Sequence, residues 1–506
     1  MIRLRALFSS AFIMLAFTVF ISLFASLSWN VHAEEVNNQR VVSVEPHDEQ
    51  PASLVGAACV IRHGKQMVMV SEVITQKLSI PGGYIDSQDT ASEAARREAL
   101  EETGLDVDVV KLLQFRDRAA IYACVATQPI LVAEQEQDQS DQRQQIAAWQ
   151  AADFSREVKA VYLISPLSLA PAEYRYPEDT AFLYQWMMET PESEVVFYTD
   201  ISDRASAFHQ AELVVIKAVK DWGNELPDAA TAVLDSLMWL LNLSGEYWFV
   251  FLLIAVIASL FGPAAMLPLL AATVMTILVS TCLKQIFYLP RPFYLVPALQ
   301  NGNAYGFSFP SGHTLLATVI WGMFWIKLCA GKSWLRAGAG LLMVTVLILG
   351  QALARVWFGV HFISDTVAAI VIGILLLILL SRLITPTAIR GKAVWLGMTV
   401  LTGVAAGFTL LPAHTYLFAI SLGVFLSLDA LPKASLTLSV HRHIVVALVL
   451  LAGSGAIAYF SAVITSFSTV SLIILGMRAV GAFLLAVWLV AGSSLMLKLL
   501  AEPETA

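Results

Sequence analysis

Residues 81–105 read PGGYIDSQDTASEAARREALEETGL, and this stretch decides the fold of the first half of the chain. Two adjacent glycines indicate a loop, and Thr90 followed three residues later by Glu93 forms a capping-box pattern. The pattern predicts a helix that continues to about Thr103 and stops where Gly104 can adopt the left-handed conformation. The stretch therefore predicts a glycine loop that leads directly into a capped helix.

Three glutamates of this helix, Glu98, Glu101 and Glu102, lie at the spacing i, i+3 and i+4, which puts them on one face. Carboxylates this close repel each other unless a cation neutralises them, and hard oxygen ligands suit Mg²⁺ or Mn²⁺. Such a cation could bridge a diphosphate and activate water for attack on it. The alternative is a solvated acidic helix face beside Arg96 and Arg97, which is favoured for three glutamates alone.

The whole stretch resembles the Nudix box, in which a glycine, an acid and an arginine precede a run of glutamates and a final glycine. The matching positions are Gly83, Asp89, Arg97, Glu98, Ala99, Glu101, Glu102, Gly104 and Leu105. Asp89 stands where the family has glutamate, outside the helical cluster. The resemblance implies that Arg97 orients the three glutamates and that these hold Mg²⁺ or Mn²⁺. It also implies hydrolysis of a nucleoside diphosphate linked to another group.

The residues around the helix are predicted to complete a domain at 50–222. Strands are predicted twice within 54–70, around a His-Gly turn, and again at 121–133 and 158–164, with a closing amphipathic helix at 206–219. Residues 134–157, rich in Gln, Asp and Glu, are predicted to be a solvated insertion, with a substrate-selecting loop as the alternative. The resemblance implies an α+β fold for this domain, a Nudix-like α/β/α sandwich.

The second half of the chain has a different composition. Of all 506 residues, 57% are hydrophobic and only 14% are charged, against roughly 25% charged in soluble domains. The apolar excess is concentrated in long runs between 247 and 497, so lipid solvates this half and water the other. The net charge of −8 and the lack of a basic tract argue against nucleic acid as a partner.

Nine apolar runs are predicted to span a membrane in an all-α polytopic bundle, and the last four form an extension at 393–498. The runs are 247–262, 263–283, 313–331, 337–354, 361–381, 393–412, 413–431, 444–464 and 470–497. Basic residues cluster in alternate loops, namely Lys327, Lys332 and Arg336, then Arg382, Arg390 and Lys392, then Lys433 and Arg442. The positive-inside rule makes these loops cytoplasmic, so 284–312, 355–361 and the soluble domain face outward.

Residues 227–243 affect this count. They carry Asp235 and are short for a span, so they are predicted to form an interfacial helix on the membrane surface. If residues 227–243 span the membrane instead, the soluble domain lies on the cytoplasmic side.

The N-terminal residues 1–33 are predicted to be a signal peptide or a signal anchor. Arg3 and Arg5 precede the apolar stretch 7–27, and Val31-His32-Ala33 resembles a cleavage site. Both alternatives place the following domain outside, in agreement with the loop charges. The predicted location is the inner (plasma) membrane, multi-pass, with both candidate sites on the periplasmic side.

Three polar clusters interrupt the apolar runs, and charged residues at membrane depth are a functional signal. The clusters are Lys284 with Arg291, the segment Pro310-Ser311-Gly312-His313, and Arg355 with His361 and Asp365. The predicted topology puts all three at the same face of the membrane. We therefore expect them to converge.

The residue types in these clusters suit phosphate chemistry. Fixed positive charge comes from Lys284, Arg291 and Arg355, and donors at a helix N-terminus come from Ser311 and Gly312. Two histidines can serve as nucleophile and acid, and Asp365, one helical turn after His361, can hold its tautomer. Taken singly, each piece is better interpreted as structural, that is, as an interfacial anchor, a helix cap or a structural pair. The set needs no divalent ion.

Together the clusters resemble the signature of the type-2 phosphatidate phosphatase superfamily: Lys-six-Arg-Pro, Pro-Ser-Gly-His and Ser-Arg-five-His-three-Asp. All spacings match, and the one departure is Ala354 in place of serine. The resemblance covers about 235–382, within a predicted domain at 227–385. It implies that His361 is the nucleophile that forms a phosphohistidine and that His313 is the acid for the leaving group. The substrate it implies is a lipid phosphate or an isoprenoid diphosphate.

The cysteines add one open question. Cys59, Cys124, Cys282 and Cys329 show no metal-binding spacing. A disulfide between Cys59 and Cys124 is one alternative, and two buried thiols are the favoured one.

Three functions are consistent with these patterns. The favoured one is an enzyme with two hydrolytic sites, supported by the intact glutamates of the helix. The second is a lipid phosphatase with a non-catalytic Nudix-like ligand sensor, and the third is a lipid transporter, which the scarcity of polar residues in the last four spans disfavours. The expected partners are membrane lipids and phosphorylated lipid and diphosphate substrates, and a homo-oligomer is left open.

Overall fold

A computed structural model describes residues 54–134, 143–329, 332–432 and 439–500. The signal segment predicted at 1–33 and the basic loop residue Lys433 lie outside the described residues. The described chain has an α+β half that ends near residue 225 and a helical half that follows it. The predicted multidomain fold class is confirmed.

The α+β half is built on a mixed sheet. Its strands are β1 Gly56–His63, β2 Gln66–Glu72, β3 Leu78–Ser79, β4 Gly82–Tyr84, β5 Val107–Arg116, β6 Ala119–Ala126, β7 Ile130–Ala133, β8 Gln144–Ile146, β9 Val158–Ile164 and β10 Val195–Tyr198. Their order is β10-β7-β8-β9-β2-β1-β6-β5, with β3 beside β2 and β4 beside β1. The run predicted as one strand at 121–133 is two strands, because Pro129 cannot donate a hydrogen bond within a ladder.

The predicted capped helix is present as α1, Ala91–Thr103. The Thr90 side chain accepts a hydrogen bond from the Glu93 N–H, and the Glu93 carboxylate accepts one from the Thr90 N–H at 2.8 Å. Gly104 ends the helix with a φ of 73°, in the left-handed region. The capping box and the glycine stop are both confirmed.

A disulfide joins Cys59 of β1 to Cys124 of β6. These strands run parallel and side by side, which brings the two Cα atoms to 5.6 Å from each other. The favoured prediction of two buried thiols was therefore wrong. The cysteines are 65 residues apart in the sequence, and only the pairing of β1 with β6 makes them neighbours.

The second part of the predicted insertion is folded rather than solvated. The described residues 143–157 contain β8 and five apolar side chains that are buried, Ile146, Ala148, Trp149, Ala151 and Phe154. The prediction of a solvated insertion was wrong here because these side chains enter the cores of the protein. We call residues 149–157 the connecting segment.

Two helices complete the α+β half, α2 Thr180–Glu189 and α3 Ala207–Glu225. α3 confirms the closing helix predicted at 206–219 and is longer. Ser206 caps it by accepting a hydrogen bond from the His209 N–H. Its buried face includes two ionisable side chains, His209 and Glu212. Buried polar groups are normally hydrogen-bonded, so other parts of the protein must supply their partners.

The helical half contains α4 Asp228–Asn242, α5 Tyr247–Phe261, α6 Pro263–Phe287, α7 Pro292–Leu295, α8 Gly312–Cys329, α9 Trp334–Trp357, α10 Ile363–Leu383, α11 Lys392–Thr409, α12 Pro412–Ser427, α13 Val440–Ser466, α14 Ser471–Val487 and α15 Ser493–Leu500. Within the described residues, eight stretches are long and apolar enough to span a membrane. The pair α4 and α5, bent by 55°, would make a ninth. The count equals the nine predicted spans when this pair is one span.

Residues 227–243, predicted to form an interfacial helix, contain α4. This helix packs lengthwise on the C-terminal part of α9. Trp357 Nε1 donates to Asp235 Oδ1 at 2.8 Å, and the Ser244 hydroxyl, just beyond α4, donates to the Leu347 carbonyl at 3.2 Å. These two contacts lie ten residues apart on α9, so α4 runs antiparallel to it and continues into α5.

The two halves share a hydrophobic core. Its aromatic members are Trp149, Phe154 and Tyr198 from the α+β half, and Phe293, Tyr294, Phe307 and Phe362 from the helical half. The Tyr198 hydroxyl donates to the Tyr294 carbonyl at 3.0 Å, and the Ile201 N–H donates to the Leu295 carbonyl at 2.9 Å. The α+β half is therefore built onto the loop that follows α6.

A second contact joins the α+β half to the last helices. Arg478 of α14 donates to the Ile74 carbonyl at 2.7 Å, in the turn between β2 and β3. Ser471, the first residue of α14, accepts a hydrogen bond from Arg175 at 3.2 Å. Arg478 is an isolated charge in an apolar sequence, and this contact gives it a structural role.

Candidate active sites

The first candidate site forms where α10 begins. The His361 Nδ1 lies 3.3 Å from Asp365 Oδ2, and both side chains are buried. Asp365 is in the first turn of α10, where its carboxylate also accepts the Phe362 N–H at 2.8 Å. The Nε2 of His361 faces the other way, 3.2 Å from the Arg291 Nη1. The carboxylate thus fixes the ring and leaves Nε2 directed at a cation.

Backbone carbonyls hold two of the basic residues in place. Lys284 Nζ donates to the carbonyls of Phe307 and Ser308, at 2.6 and 2.9 Å, and Arg291 donates to those of Tyr305, Gly306 and Val360. Carbonyls orient a cation without cancelling its charge. In the part of the chain that the structure describes, Lys284, Arg291 and Arg355 form no ion pair, so their charge is available to an anion.

The segment 310–313 lies beside this cradle. The Ser311 N–H donates to the Asp365 carbonyl at 3.1 Å, and Gly312 begins α8, whose N-terminus favours an anion. His313 follows, with about a fifth of its side chain exposed, and its Nε2 lies 3.6 Å from a Glu246 carboxylate oxygen. The structure therefore brings together all eight residues predicted from the sequence for this site.

Several residues at the site were not predicted. The buried Ser308 donates its hydroxyl hydrogen to Asp365 and lies 3.3 Å from the His361 Nδ1. Asn242 accepts a hydrogen bond from Arg355 at 3.3 Å. Glu246, directly before the apolar run of α5, is a charge at the edge of the membrane and could have been found by that rule. The roles of Ser308 and Asn242 depend on the fold and have no sequence signal.

The α+β half also reaches this site. The buried Glu212 of α3 accepts hydrogen bonds from the Ser364 N–H at 2.6 Å and from the Ser364 hydroxyl at 2.8 Å. The ring of His209, one turn earlier, stacks on Phe362 with 4.3 Å between centroids. Ser364 and Phe362 lie between His361 and Asp365 in the sequence. A helix outside the membrane bundle therefore holds the segment that carries the candidate nucleophile.

The second candidate site forms on α1. Arg97 donates to Glu98 at 2.9 Å, to Glu101 at 2.8 Å and to Asp89 at 2.9 Å. It also donates to the Tyr84 carbonyl at 2.9 Å, which ties the helix to the glycine loop. The arginine thus supplies the positive charge that separates these carboxylates. Asp89 binds it although the family has glutamate there.

The glycine loop is shaped by two of the glutamates. The Gly82 N–H donates to Glu102 at 2.8 Å. A Cβ atom on Gly83 would lie 2.4 Å from the carboxyl carbon of Glu98, so any larger residue here would displace the Glu98 carboxylate. Burial raises the pKa of the Glu98 carboxyl and raises that of Glu102 well above its usual value, although both accept hydrogen bonds.

The donors around α1 fit a divalent cation. Six carboxylates lie near one another, those of Glu72, Glu98, Glu101, Glu102, Asp153 and Glu157. Three arginines pair with them, Arg97, Arg156 and Arg175, so negative charge is in excess. Hard oxygens with excess negative charge suit Mg²⁺ or Mn²⁺. Among the described residues, however, no three acidic, histidine or cysteine side chains already form a metal cage.

The connecting segment touches both sites. The Asp153 N–H donates to the Glu101 carbonyl at 2.9 Å, on the α1 side. The next residue, Phe154, packs edge-on against Tyr294 and Phe307, with 5.6 Å between ring centroids in each case. These two aromatics lie in the loop that carries Arg291. Adjacent residues of one segment therefore link the two candidate sites.

Comparison with protein families divides the chain in the same way. A model described as NUDIX domain matches residues 52–195, and one described as PAP2 superfamily matches residues 265–388. The chain joins a NUDIX domain to a PAP2 domain. Both are hydrolase domains that act on phosphoric ester and anhydride bonds, so this NUDIX–PAP2 protein is a membrane phosphohydrolase with two candidate sites.

Solved structures resemble the two domains separately. The PAP2 side is similar to a PAP2-type transmembrane phosphatidylglycerolphosphate phosphatase from Bacillus subtilis, at 21% identity over 36% of this chain and 89% of that one (TM-score 0.30). The NUDIX side is similar to an ADP-ribose pyrophosphatase from Streptococcus suis, at 16% identity over 28% and 97% (TM-score 0.18). It is also similar to a NUDIX hydrolase from Nitrosomonas europaea, at 15% identity over 30% and 82% (TM-score 0.20). Comparison with curated proteins gave no match.

Proposed function

We propose that the NUDIX–PAP2 protein is a bifunctional phosphohydrolase. The PAP2 domain removes phosphate from a membrane lipid phosphate or an isoprenoid diphosphate, and the NUDIX domain hydrolyses a diphosphate-linked substrate. One observation carries the first activity: the His361 ring is held by Asp365 while its Nε2 faces Arg291. An imidazole held in this way, beside unpaired cations, is arranged to attack phosphorus.

The proposed reaction at the PAP2 site has two steps. Lys284, Arg291 and Arg355 bind the phosphate oxygens, and His361 Nε2 attacks phosphorus. The bond from phosphorus to the lipid oxygen breaks, and that oxygen takes its electron pair and a proton from His313. Water then attacks the phosphohistidine, gives a proton to His313 and releases inorganic phosphate. Asp365 holds the tautomer that keeps Nε2 available throughout.

At the NUDIX site, Glu98, Glu101 and Glu102 would hold Mg²⁺ or Mn²⁺, which would supply charge neutralisation for a diphosphate. Arg97 positions Glu98 and Glu101 through its two short hydrogen bonds. Gly82 positions Glu102 through its N–H. These contacts keep the three carboxylates on the side of α1 that faces the glycine loop.

We place both sites on the extracytoplasmic side of the inner membrane. The basic loops predicted to be cytoplasmic support this, since the loops of the PAP2 site alternate with them. The disulfide in the NUDIX domain supports it independently, because disulfides persist in oxidising compartments.

Metal removal tests whether the two activities are distinct. Purified full-length protein is assayed for phosphate release from a lipid phosphate and for hydrolysis of nucleoside diphosphate derivatives, with and without EDTA. We expect EDTA to stop the second activity and to spare the first. Equal loss of both would refute the two-chemistry proposal, whereas nucleotide binding without hydrolysis would favour the ligand-sensing alternative.

Mutations then assign the activities to residues. His361→Ala should abolish lipid phosphatase activity and the acid-quenched trapping of labelled phosphate, and Asp365→Asn should lower both severely. Glu102→Gln should leave lipid turnover intact and abolish NUDIX hydrolysis. If His361→Ala kept wild-type lipid phosphatase activity, a histidine-phosphatase mechanism would be wrong for this bundle.

A further inference from the structure

Glu246 occupies a position that the motif residues of the PAP2 site do not explain. It lies at the junction between α4 and α5, where the bent pair changes direction, and only about a quarter of its side chain is exposed. Its carboxylate is 3.6 Å from His313 Nε2. Taking a carboxylate partly out of water costs free energy, and a close partner that can carry a positive charge offsets that cost.

The junction is fixed in position by polar contacts. Asn242 Nδ2 donates to Glu246 at 2.6 Å, and the Asn242 oxygen in turn accepts from Gln351 Nε2 at 2.9 Å. The Gln351 oxygen accepts the Gly245 N–H at 2.9 Å. A Cβ on Gly245 would lie 2.4 Å from the His313 carbonyl oxygen, so the junction also lies directly against the backbone of His313.

His313 lies near groups of both charge signs. Glu246 is on one side, and the unpaired guanidinium of Arg355 belongs to the same network through Asn242. The ring of Tyr247 covers His313, with 5.0 Å between centroids. Arginines near an imidazole disfavour its protonated form, and a carboxylate favours it. The carboxylate therefore offsets the phosphate-binding cations at the one residue that has to carry a proton.

We propose that Glu246 is a positioning residue that orients His313 and stabilises its protonated form for proton transfer to the leaving group. The inference rests on the proposed phosphohistidine reaction and adds to it a partner for the acid. In the first step the proton passes from the His313 imidazolium to the lipid oxygen as the P–O bond breaks, and Glu246 stabilises the cation until then. Glu246 is outside the three-part signature, and α4 and α5 supply it.

The test compares leaving groups. An alkyl phosphate leaves as an alkoxide, which needs a proton, whereas p-nitrophenyl phosphate leaves as a stable phenolate, which does not. Labelled phosphate from either substrate is trapped on full-length protein by rapid acid quenching, so that only the first step is measured. Glu246→Gln should slow trapping from the alkyl lipid phosphate by about tenfold or more, and from the aryl phosphate by less than about threefold. Glu246→Asp, which keeps the charge, should restore most of the lost rate.

Glu225→Gln, the same change at an exposed position at the end of α3, is the matched control and should leave both rates unchanged. Equal slowing with both substrates would mean that Glu246 only supports the fold of the site, and no slowing would mean that it has no role; either result overturns the proposal. If wild-type protein trapped no label from either substrate, the phosphohistidine reaction itself would be refuted, together with the role of Glu246 in it.

Discussion

Removal of the Glu212 carboxylate should impair the PAP2 site although Glu212 belongs to a helix outside the membrane bundle. Glu212 accepts two hydrogen bonds from Ser364, one from the N–H and one from the hydroxyl, at the start of α10. Hydrogen bonds to a charged group contribute about 1.5–3 kcal/mol each. A carboxylate at a helix N-terminus adds a favourable interaction with the helix dipole. Glu212→Ala should therefore weaken the contact by about 3 kcal/mol or more.

The lost hydrogen bonds lie in the segment that carries the candidate catalytic residues His361 and Asp365. The Ser364 N–H would lose its acceptor, and the segment from His361 to Asp365 would lose its contact with α3. A change of about 3 kcal/mol corresponds to a roughly hundredfold shift between ordered and loosened states. We expect a fall of about tenfold or more in lipid phosphate turnover, with a lower melting temperature.

The assay measures phosphate release by full-length protein in detergent micelles, beside NUDIX hydrolysis by the same preparation. Glu212→Gln keeps an oxygen acceptor for the N–H and should lie between wild type and alanine. A double-mutant cycle with Ser364→Ala separates the hydroxyl bond from the backbone bond. Wild-type lipid turnover and an unchanged melting temperature in Glu212→Ala would refute the reasoning.

Three further predictions follow from other contacts. Gly83→Ala should abolish NUDIX hydrolysis while sparing lipid turnover, because its Cβ would lie 2.4 Å from the Glu98 carboxyl carbon; normal nucleotide hydrolysis by this variant would contradict the loop geometry. Cys59→Ser with Cys124→Ser should lower the stability of the NUDIX domain by about 4 kcal/mol, the chain-entropy value for a loop of 65 residues, as measured by thermal melting against wild type in oxidising and reducing buffer. A periplasm-active reporter fused after Asp228 should be active and one fused after Arg390 silent, and silence at Asp228 would mean that α4 and α5 cross the membrane separately.

The parts of the fold that the sequence predicted well are those set by local chemistry. Thr90 and Glu93 form the capping box, and Gly104 has the left-handed conformation that the helix stop requires. The signature residues of the PAP2 site converge because each lies at a fixed distance from a helix end. Such features depend on a few neighbouring residues, and a sequence window contains all of them.

The parts that were missed depend on contacts between distant segments. Ser308 and Asn242 are small polar residues that gain roles only because a loop and a helix junction are folded against His361 and Arg355. Glu212 is separated from Ser364 by six helices of the chain, α4 to α9, and no pattern in its own helix points to that partner. The disulfide was not the favoured alternative for the same reason, since only a parallel strand pair brings its two cysteines together.

The core shared by the two halves has a consequence for the synthesis of this protein. Phe154, Tyr198 and Leu213 are made well before the residues that cover them, which end at Phe362, about 140 residues after α3. At a translation rate of roughly 5–20 residues per second, this apolar patch stays exposed for on the order of ten seconds, until the residues that bury it have been made. The nascent chain therefore needs protection from aggregation during that interval. A fragment cut after α3 would keep the patch uncovered permanently, so the first half of the chain is a poor candidate for expression on its own.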